Sequence, residues 1–361
     1  VKLNLKPAAS CRWDILSLGE VMLRLDPGEE RIASTRSFQV WEGGGEYNVA
    51  RGLRRCFNQR ASIVTALIDN PIGRLIEDLM LQGGVDLSHI LWQPFDGVGN
   101  AARNGIYFLE RGFGVRPGLG VMDRGHTAIS QLQPNTINWK KIFAEEGVRW
   151  FHTGGIMAAL SESATEVVRE AITAAHAHGT IVSFDCNYRA SLWKDRGGRA
   201  ASIAVNRFLM PFVDVLFGHE GDVAETIGEA SHGPVWHDLD SFRDMSDRVT
   251  EDFPNLKIIA TTVRRPHTAS RNDWGAFAYA NGTAYDSQHL HHLDILDRVG
   301  GGDAFASGLI YGLLASKGIQ YALHCGIAHG ALAMTTPGDQ SRATLAEVEH
   351  LMQGQHANTT R

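Results

Sequence analysis

Cysteine is scarce in this chain, and so is any concentration of charge of one sign. Only four cysteines, Cys11, Cys56, Cys186 and Cys325, occur among 361 residues, far apart and without a C-x-x-C pair. That excludes a disulfide framework and a zinc knuckle, and points to reduced thiols in a cytoplasmic protein. No apolar run approaches the roughly 20 residues of a membrane span, so no membrane partner is expected. The opening "VKLNLKPAASCRW" has no continuous apolar stretch, so no signal peptide is expected and the segment reads as a loose extension. A formal net charge of −6 without a basic cluster argues against nucleic acid as a partner. An anionic ligand must therefore meet positive charge that is local. Internal repeats, low-complexity tracts and linkers rich in Pro, Ser or Gly are also missing.

What is present is the pattern of an α/β protein. A chain of this length buries a large core without staples. After an opening strand "DILSLGEVMLRL", short apolar runs alternate with helical segments. "WFHTGG" reads as a strand. "SESATEVVREAITAAHAHG" reads as a helix, with Ser163 and Glu166 at capping-box spacing, an apolar face of Val167, Val168, Ala171, Ile172 and Ala175, and Gly179 as the stop. "TIVSFDCNYR", "VDVLFGHE" and "KIIATTVRR" follow as further strands. Strand–helix–strand units of this kind imply a parallel sheet with helices on both faces. Ligands bind outside the carboxyl ends of such strands. The rule gathers His152, Asp185, Asn187, Arg189, His219, Glu220, Thr262 and Arg264 along one edge. Residues 22–42 and 99–124 break the alternation and look like short strands, a second small sheet that covers the strand ends as a lid.

The segment "DRVGGGDAFASG", residues 297–308, carries the densest chemical signal. Gly300, Gly301 and Gly302 precede an apolar helix, where unpaired N–H groups and the helix dipole favour an anion. Asp303 beside such a hole suits a general base that takes a proton from an attacking hydroxyl. No Gly-Lys-Ser/Thr follows, so this is no Walker A loop, and it sits too late for a dinucleotide fingerprint. Spacing alone leaves two readings open: this anion site, or a glycine turn with Asp303 as an ordinary first-turn carboxylate.

A second segment, "EGGGEYNVARGL" at residues 42–53, again sets glycines before a helix, with Asn48 one turn in. In order and separation the pair resembles the two signatures of the ribokinase/PfkB family of carbohydrate kinases. Within that family "NGIYFLERGFGVRP", "DRGHTAIS", "WFHTGG" and "DCNYRASLW" resemble the 2-keto-3-deoxygluconate kinases. The resemblance implies a single ribokinase-like domain over residues 13–355, a Rossmann-type three-layer α/β sandwich with a β-sheet lid. It implies phosphorylation of a sugar acid by MgATP, with a monovalent cation as a further candidate and a homo-oligomeric assembly. By the same resemblance Asp303 is the base and Gly300, Gly301 and Gly302 form the anion hole. Gly43, Gly44, Asn48, Tyr107, Arg124 and Arg189 bind substrate, the arginines answering a carboxylate. His219, Asp222, Thr262 and Arg264 serve the nucleotide, Asp222 also reaching magnesium through phosphate or water.

Four positions depart from that pattern. Met122-Asp123-Arg124 stands for Tyr-Asp-Arg, which removes a hydroxyl donor and bears on substrate choice. His219-Glu220-Gly221-Asp222 stands for Asn-x-x-Glu, Arg298 for the wider family's threonine, and Gly301 for alanine. Met122 favours a neutral-sugar kinase as the alternative, and His219 a sugar-binding protein with weakened catalysis. "HLHH", residues 289–292, invites a metal reading, but histidines in this setting read first as a solvated face.

Overall fold

Apolar runs alternating with helices build two sheets in the computed structural model, which describes residues 3–226, 228 and 238–354. The expected domain limit at residue 355 lies outside the described residues. The opening run is two strands rather than one: β1 (Trp13–Leu18) stays in the large sheet, and β2 (Met22–Asp26) leaves for the small one. Between them Gly19 lies against the Glu46 side chain, where a Cβ would be 2.6 Å from the carboxyl carbon. There follow β3 (Gln39–Gly43), α1 (Gly45–Arg55), β4 (Ala61–Asp69), α2 (Pro71–Gly83), β5 (Asp86–Pro94), β6 (Ile106–Glu110) and β7 (Leu119–Asp123). The middle of the chain supplies β8 (Val148–Gly154), α3 (Gly155–Ala159), α4 (Glu162–Ala177), β9 (Ile181–Asp185), α5 (Ala190–Trp193), α6 (Gly198–Leu209), β10 (Val215–Phe217), α7 (Glu220–Thr226) and α8 (Leu239–Asp252). The last part is β11 (Ile258–Thr268), β12 (Arg271–Ala280), β13 (Thr283–Asp286), β14 (Leu290–Asp294), α9 (Gly301–Leu314), α10 (Ile319–Ala333) and α11 (Leu345–Met352).

Among the described residues ten strands form the large sheet, in the order β13-β12-β11-β10-β9-β8-β1-β4-β5, with β14 also on β12. From β11 to β5 every pairing is parallel. Strands buried on both faces are mostly apolar, and β1 (WDILSL) is buried along its whole length. Its Ile15 joins the core under α1, α9 and α10, while Leu16 joins the core under α4 and α8. On α4 the predicted face is fully buried, but the cap is Ser161, whose Oγ accepts the Ala164 N–H at 3.0 Å; Ser163 lies inside the helix. All four cysteines are buried, and none of them is in a disulfide. No described helix is long and apolar enough to cross a membrane. The two lid segments pair as the second sheet, in the order β3-β2-β6-β7.

Close packing of α10 on α9 fixes the axis of the helix that begins at the glycine motif. A Cβ on Gly308 would lie 2.7 Å from the Cys325 carbonyl, and one on Gly312 would lie 2.5 Å from the Ala322 Cα. One residue then ties the two sheets together. Arg24 on β2 is wholly buried and donates to Asp26 at 2.8 Å, to Asp339 at 2.5 Å and to Asp297. Tyr107 on β6 donates its hydroxyl to the same Asp339. Backbone N–H groups of Gly28, Val299 and Gly338 also donate to Asp26 and Asp297, and Arg111 Nε lies 3.6 Å from Asp26. Burial opposes the charge on Arg24, but Asp339 and Asp297 outweigh it and hold the guanidinium protonated. Removing one partner of such a cluster strands the others without water. Arg24→Ala is therefore expected to cost about 3–5 kcal/mol in urea unfolding, with Arg24→Lys recovering only part because an ammonium lacks the planar fork.

Candidate active site

The carboxyl ends of β9, β10 and β11 and the first turns of α1 and α9 surround a cavity of about 930 Å³, roofed in part by Met22, Tyr107 and Met122 of the small sheet. Gly300 sits in the left-handed region, φ 82°, where its missing Cβ avoids collision with the Asp339 carbonyl. The helix can therefore start tight against the loop that Arg24 holds. Its Gly301 N–H reaches the Arg298 carbonyl at 3.4 Å, and among the described residues the N–H groups of Gly302 and Asp303 have no backbone partner. An anion placed there would meet two open donors and the positive end of the helix.

Asp303 lies where the two glycine motifs meet. Asn48 donates its amide to the Asp303 carboxylate at 2.7 Å, a contact between residues 255 apart. The Asn48 amide oxygen is buried without a partner and is free to accept from a ligand hydroxyl. Burial raises the Asp303 pKa to about 7; the Asn48 hydrogen bond opposes it, while Asp185 and Asp339 add to it. Such a group changes charge near neutral pH, as a general base requires.

Gly44, Asn48, Tyr107, Arg124 and Arg189 line the cavity, as do His219, Asp222, Thr262, Arg264, Gly300 and Gly302. Two expected residues lie behind its wall. Gly43 packs against Tyr107 and Asp339, and Gly301 packs against Met334, where a Cβ would lie 3.1 Å from the thioether sulfur. His152 is also not at the edge: it is buried, bonded to Ser183 Oγ at 2.8 Å, and held neutral by burial, which lowers its pKa to about 3. The side chain of Glu220 is outside the described residues. Arg124 is already paired, with Nε 3.2 Å from Glu20, so it is a weaker anchor for a ligand than its charge suggests. Arg189 donates only to the carbonyl of Tyr188 and is exposed. The His219 carbonyl accepts the N–H groups of Asp222 and Val223, which sets the first turn of α7.

Several wall residues had no role assigned from the sequence. Glu46, in the first turn of α1, has its pKa raised to about 8 by burial, with Asp303 and Asp185 adding to it. Asp185 ends β9; burial and then the charge of Asp222 raise it to about 6. Asp222 is itself raised by burial, opposed by His219, the Tyr188 N–H and Arg189. Two neighbouring carboxylates of this kind form a donor set for a hard divalent cation. Arg298 faces Arg264 across the wall: burial lowers the Arg264 pKa and the charge of Arg298 lowers it further. The signal for Glu46 was available, since it lies within the first glycine motif. The arginine pair is 34 residues apart in sequence and becomes a pair only in the fold.

The same architecture occurs in known proteins. The chain is 31% identical over 349 residues to the 2-dehydro-3-deoxygalactonokinase of Haloferax volcanii, covering 96% of this chain and 99% of that protein. It is 27% identical to the 2-dehydro-3-deoxygluconokinase of Thermoproteus tenax, covering 96% of each. The solved 2-dehydro-3-deoxygluconokinase of Thermotoga maritima superposes with a TM-score of 0.86 at 35% identity, over 94% of this chain and 99% of that one. Residues 13–345 match the pfkB family of carbohydrate kinases. With both glycine motifs converging on one half-buried carboxylate, the chain belongs to that family.

Proposed function

We propose that this kinase transfers the γ-phosphate of ATP to a hydroxyl of a 2-keto-3-deoxy sugar acid, with Asp303 as the base. The observation that carries the assignment is the position of Asp303, held by Asn48 at the entrance to α9 beside two open backbone donors. The substrate hydroxyl would lie against Asp303, which accepts its proton as the oxygen attacks phosphorus. The open N–H groups of Gly302 and Asp303 would meet the charge on the transferring phosphoryl group. Asn48 Oδ1 and the backbone of Gly44 would orient the sugar. Tyr107, whose proton goes to Asp339, would offer its oxygen as an acceptor. Arg189, near Asp185, Asp222 and Asp303 but in no ion pair within 4 Å among the described residues, would grip the acid group. Met122 puts a thioether at the cavity wall, so this side of the substrate would be selected by shape rather than by a hydroxyl donor.

Arg264, Arg298 and Thr262 would take the polyphosphate, giving the local positive charge that a −6 chain must supply to an anion. Asp222, with Asp185, would hold magnesium through water or phosphate beside His219. The ion neutralises charge on the β- and γ-phosphates when bound. A monovalent cation finds no free carboxylate beneath the anion-hole loop, because Asp297 and Asp339 both already bond to Arg24. The small sheet would act as the lid. Its edge strand β7 exposes Leu119, Val121 and Met122, which supports a homo-oligomer through that edge. A monomeric mass by light scattering would set that assembly aside. ATP use and four buried cysteines outside any disulfide support a cytoplasmic setting.

An ADP-release assay over a panel of sugar acids and neutral sugars tests the assignment. Turnover is expected on 2-keto-3-deoxygluconate or its galactonate epimer. Activity confined to neutral sugars would overturn the acid assignment, and no sugar-dependent ADP release would overturn the kinase reading of this site. Asp303→Asn is expected to lower turnover at least about a hundredfold while ATP binding measured by calorimetry is kept. Arg189→Ala should raise KM for the acid far more than for a neutral analogue; equal losses would reduce Arg189 to a structural role.

The pH dependence has a defined sign. Only ionised Asp303 accepts a proton, so kcat/KM should fall as pH drops through about 7. The Asn48 hydrogen bond favours the ionised form, so Asn48→Ala should move that limb to higher pH. A limb that stays in place would show that another group titrates.

A further inference from the structure

The reaction leaves one histidine cluster unused, near the tip of the β11–β12 hairpin. Asp273 on β12 stands between two neighbours, β11 and β14, and the pairing is irregular on both sides of it. Against β11, Pro266 pairs with Asn272 and Thr268 with Arg271, which leaves His267 unpaired between them. Against β14, Asn272 pairs with Leu293 and Trp274 with Leu290, so His291 and His292 both stand opposite Asp273. Bulges of this sort re-aim side chains. Here His267 Nε2 comes to 2.8 Å from Asp273 Oδ1, and the rings of His267 and His292 lie 4.8 Å apart between centroids. Donor atoms of His267, Asp273 and His292 all fall within 4.8 Å of one another. The His292 N–H also donates to Asp273 Oδ1 at 2.9 Å, and His291 Nδ1 lies 3.7 Å from Oδ2.

A solvated His–Asp pair would account for His267 and Asp273. It leaves His292 unexplained, because that residue holds a left-handed backbone, φ 53°, which a side chain of its size adopts at a cost. That backbone brings a second imidazole beside the first, over the same carboxylate. Two imidazoles and one carboxylate form the donor set of a zinc-type transition ion, whereas magnesium and calcium favour oxygen alone.

We propose that His267, Asp273 and His292 bind one divalent transition-metal ion of the zinc type, with solvent completing its coordination. The ion replaces the direct His267–Asp273 hydrogen bond after small side-chain rotations. It joins β11, β12 and β14 at a point where β14 leads, three residues beyond Asp294, to Asp297 and the anion-hole loop. Because the three ligands meet only in the folded chain, occupancy stabilises the native state.

The test is calorimetric titration of the full chain, stripped with chelator, with zinc chloride in excess magnesium chloride so that the active-site carboxylates are occupied. One equivalent is expected to bind, at least about tenfold more weakly in His267→Ala, Asp273→Asn and His292→Ala, with His289→Ala unchanged. Cobalt substituted for zinc should show ligand-field absorption that these three substitutions remove. His292→Gly guards against misfolding, since it deletes the imidazole and relieves the left-handed backbone. Its Tm without metal should equal or exceed that of the parent, and the rise in Tm that zinc gives the parent should be lost. No saturable binding to the parent, or stoichiometric binding kept by all three ligand variants, would overturn the site.

Discussion

The Arg24 guanidinium lies where β2, the loop before α9 and the loop after α10 come together, and the geometry of the candidate site hangs on it. A buried cation is expensive to desolvate, and only several well-directed acceptors offset that cost. Here there are three carboxylates, two of them far away in sequence. Fixing Asp339 presses its carbonyl against Gly300, and fixing Asp297 sets the strand end from which that glycine turns. The left-handed step at Gly300 then begins α9 with its open N–H groups facing the cavity. The same Asp339 receives the Tyr107 hydroxyl, so the small sheet and the anion hole share one carboxylate. Movement of either is mechanically coupled to the other.

Short-range signals made much of this fold legible in the sequence. Glycines ahead of a helix declare backbone exposure wherever they occur, so both motifs were visible in the sequence, and the fold brings Asn48 of one onto Asp303 of the other. Strand and helix alternation implied the parallel sheet, and the two irregular segments did become the second sheet. The misreadings share a physical cause. Polarity at a strand end does not say whether a side chain turns to the edge or into the core, and His152 turns inward onto Ser183. Glycine identity does not say which face of a turn is exposed, and Gly43 and Gly301 face protein. Nothing local in "MLRLD" marks Arg24 as a buried cation. Its partners at 297 and 339 are joined to it only by the fold.

Charge placement explains how an acidic chain can serve anionic ligands. The cations have separate roles. Arg24 is committed wholly to structure, Arg124 is shared with Glu20, and Arg189, Arg264 and Arg298 remain for the cavity. Arg264 and Arg298 repel one another in the unliganded state. An anion placed between them would relieve that repulsion, so part of the stabilisation on binding would be prepared in advance.

The carboxylates of the cavity are prepared in the opposite sense. Asp303, Glu46 and Asp185 all have folded pKa values above their ordinary ones, chiefly through burial. Each therefore favours the native state while protonated, and that contribution is lost as pH rises from near 4 through the folded values of about 6, 7 and 8. At neutral pH the protein thus holds negative charge in a place that works against its stability. A carboxylate relaxed into water would ionise near pH 4 and would be too weak a base to draw a proton from a sugar hydroxyl. For the base proposed at Asp303, burial would supply the basicity, Asn48 limits the rise so that the ionised form is still populated, and the Arg24 cluster would supply the frame that bears the cost.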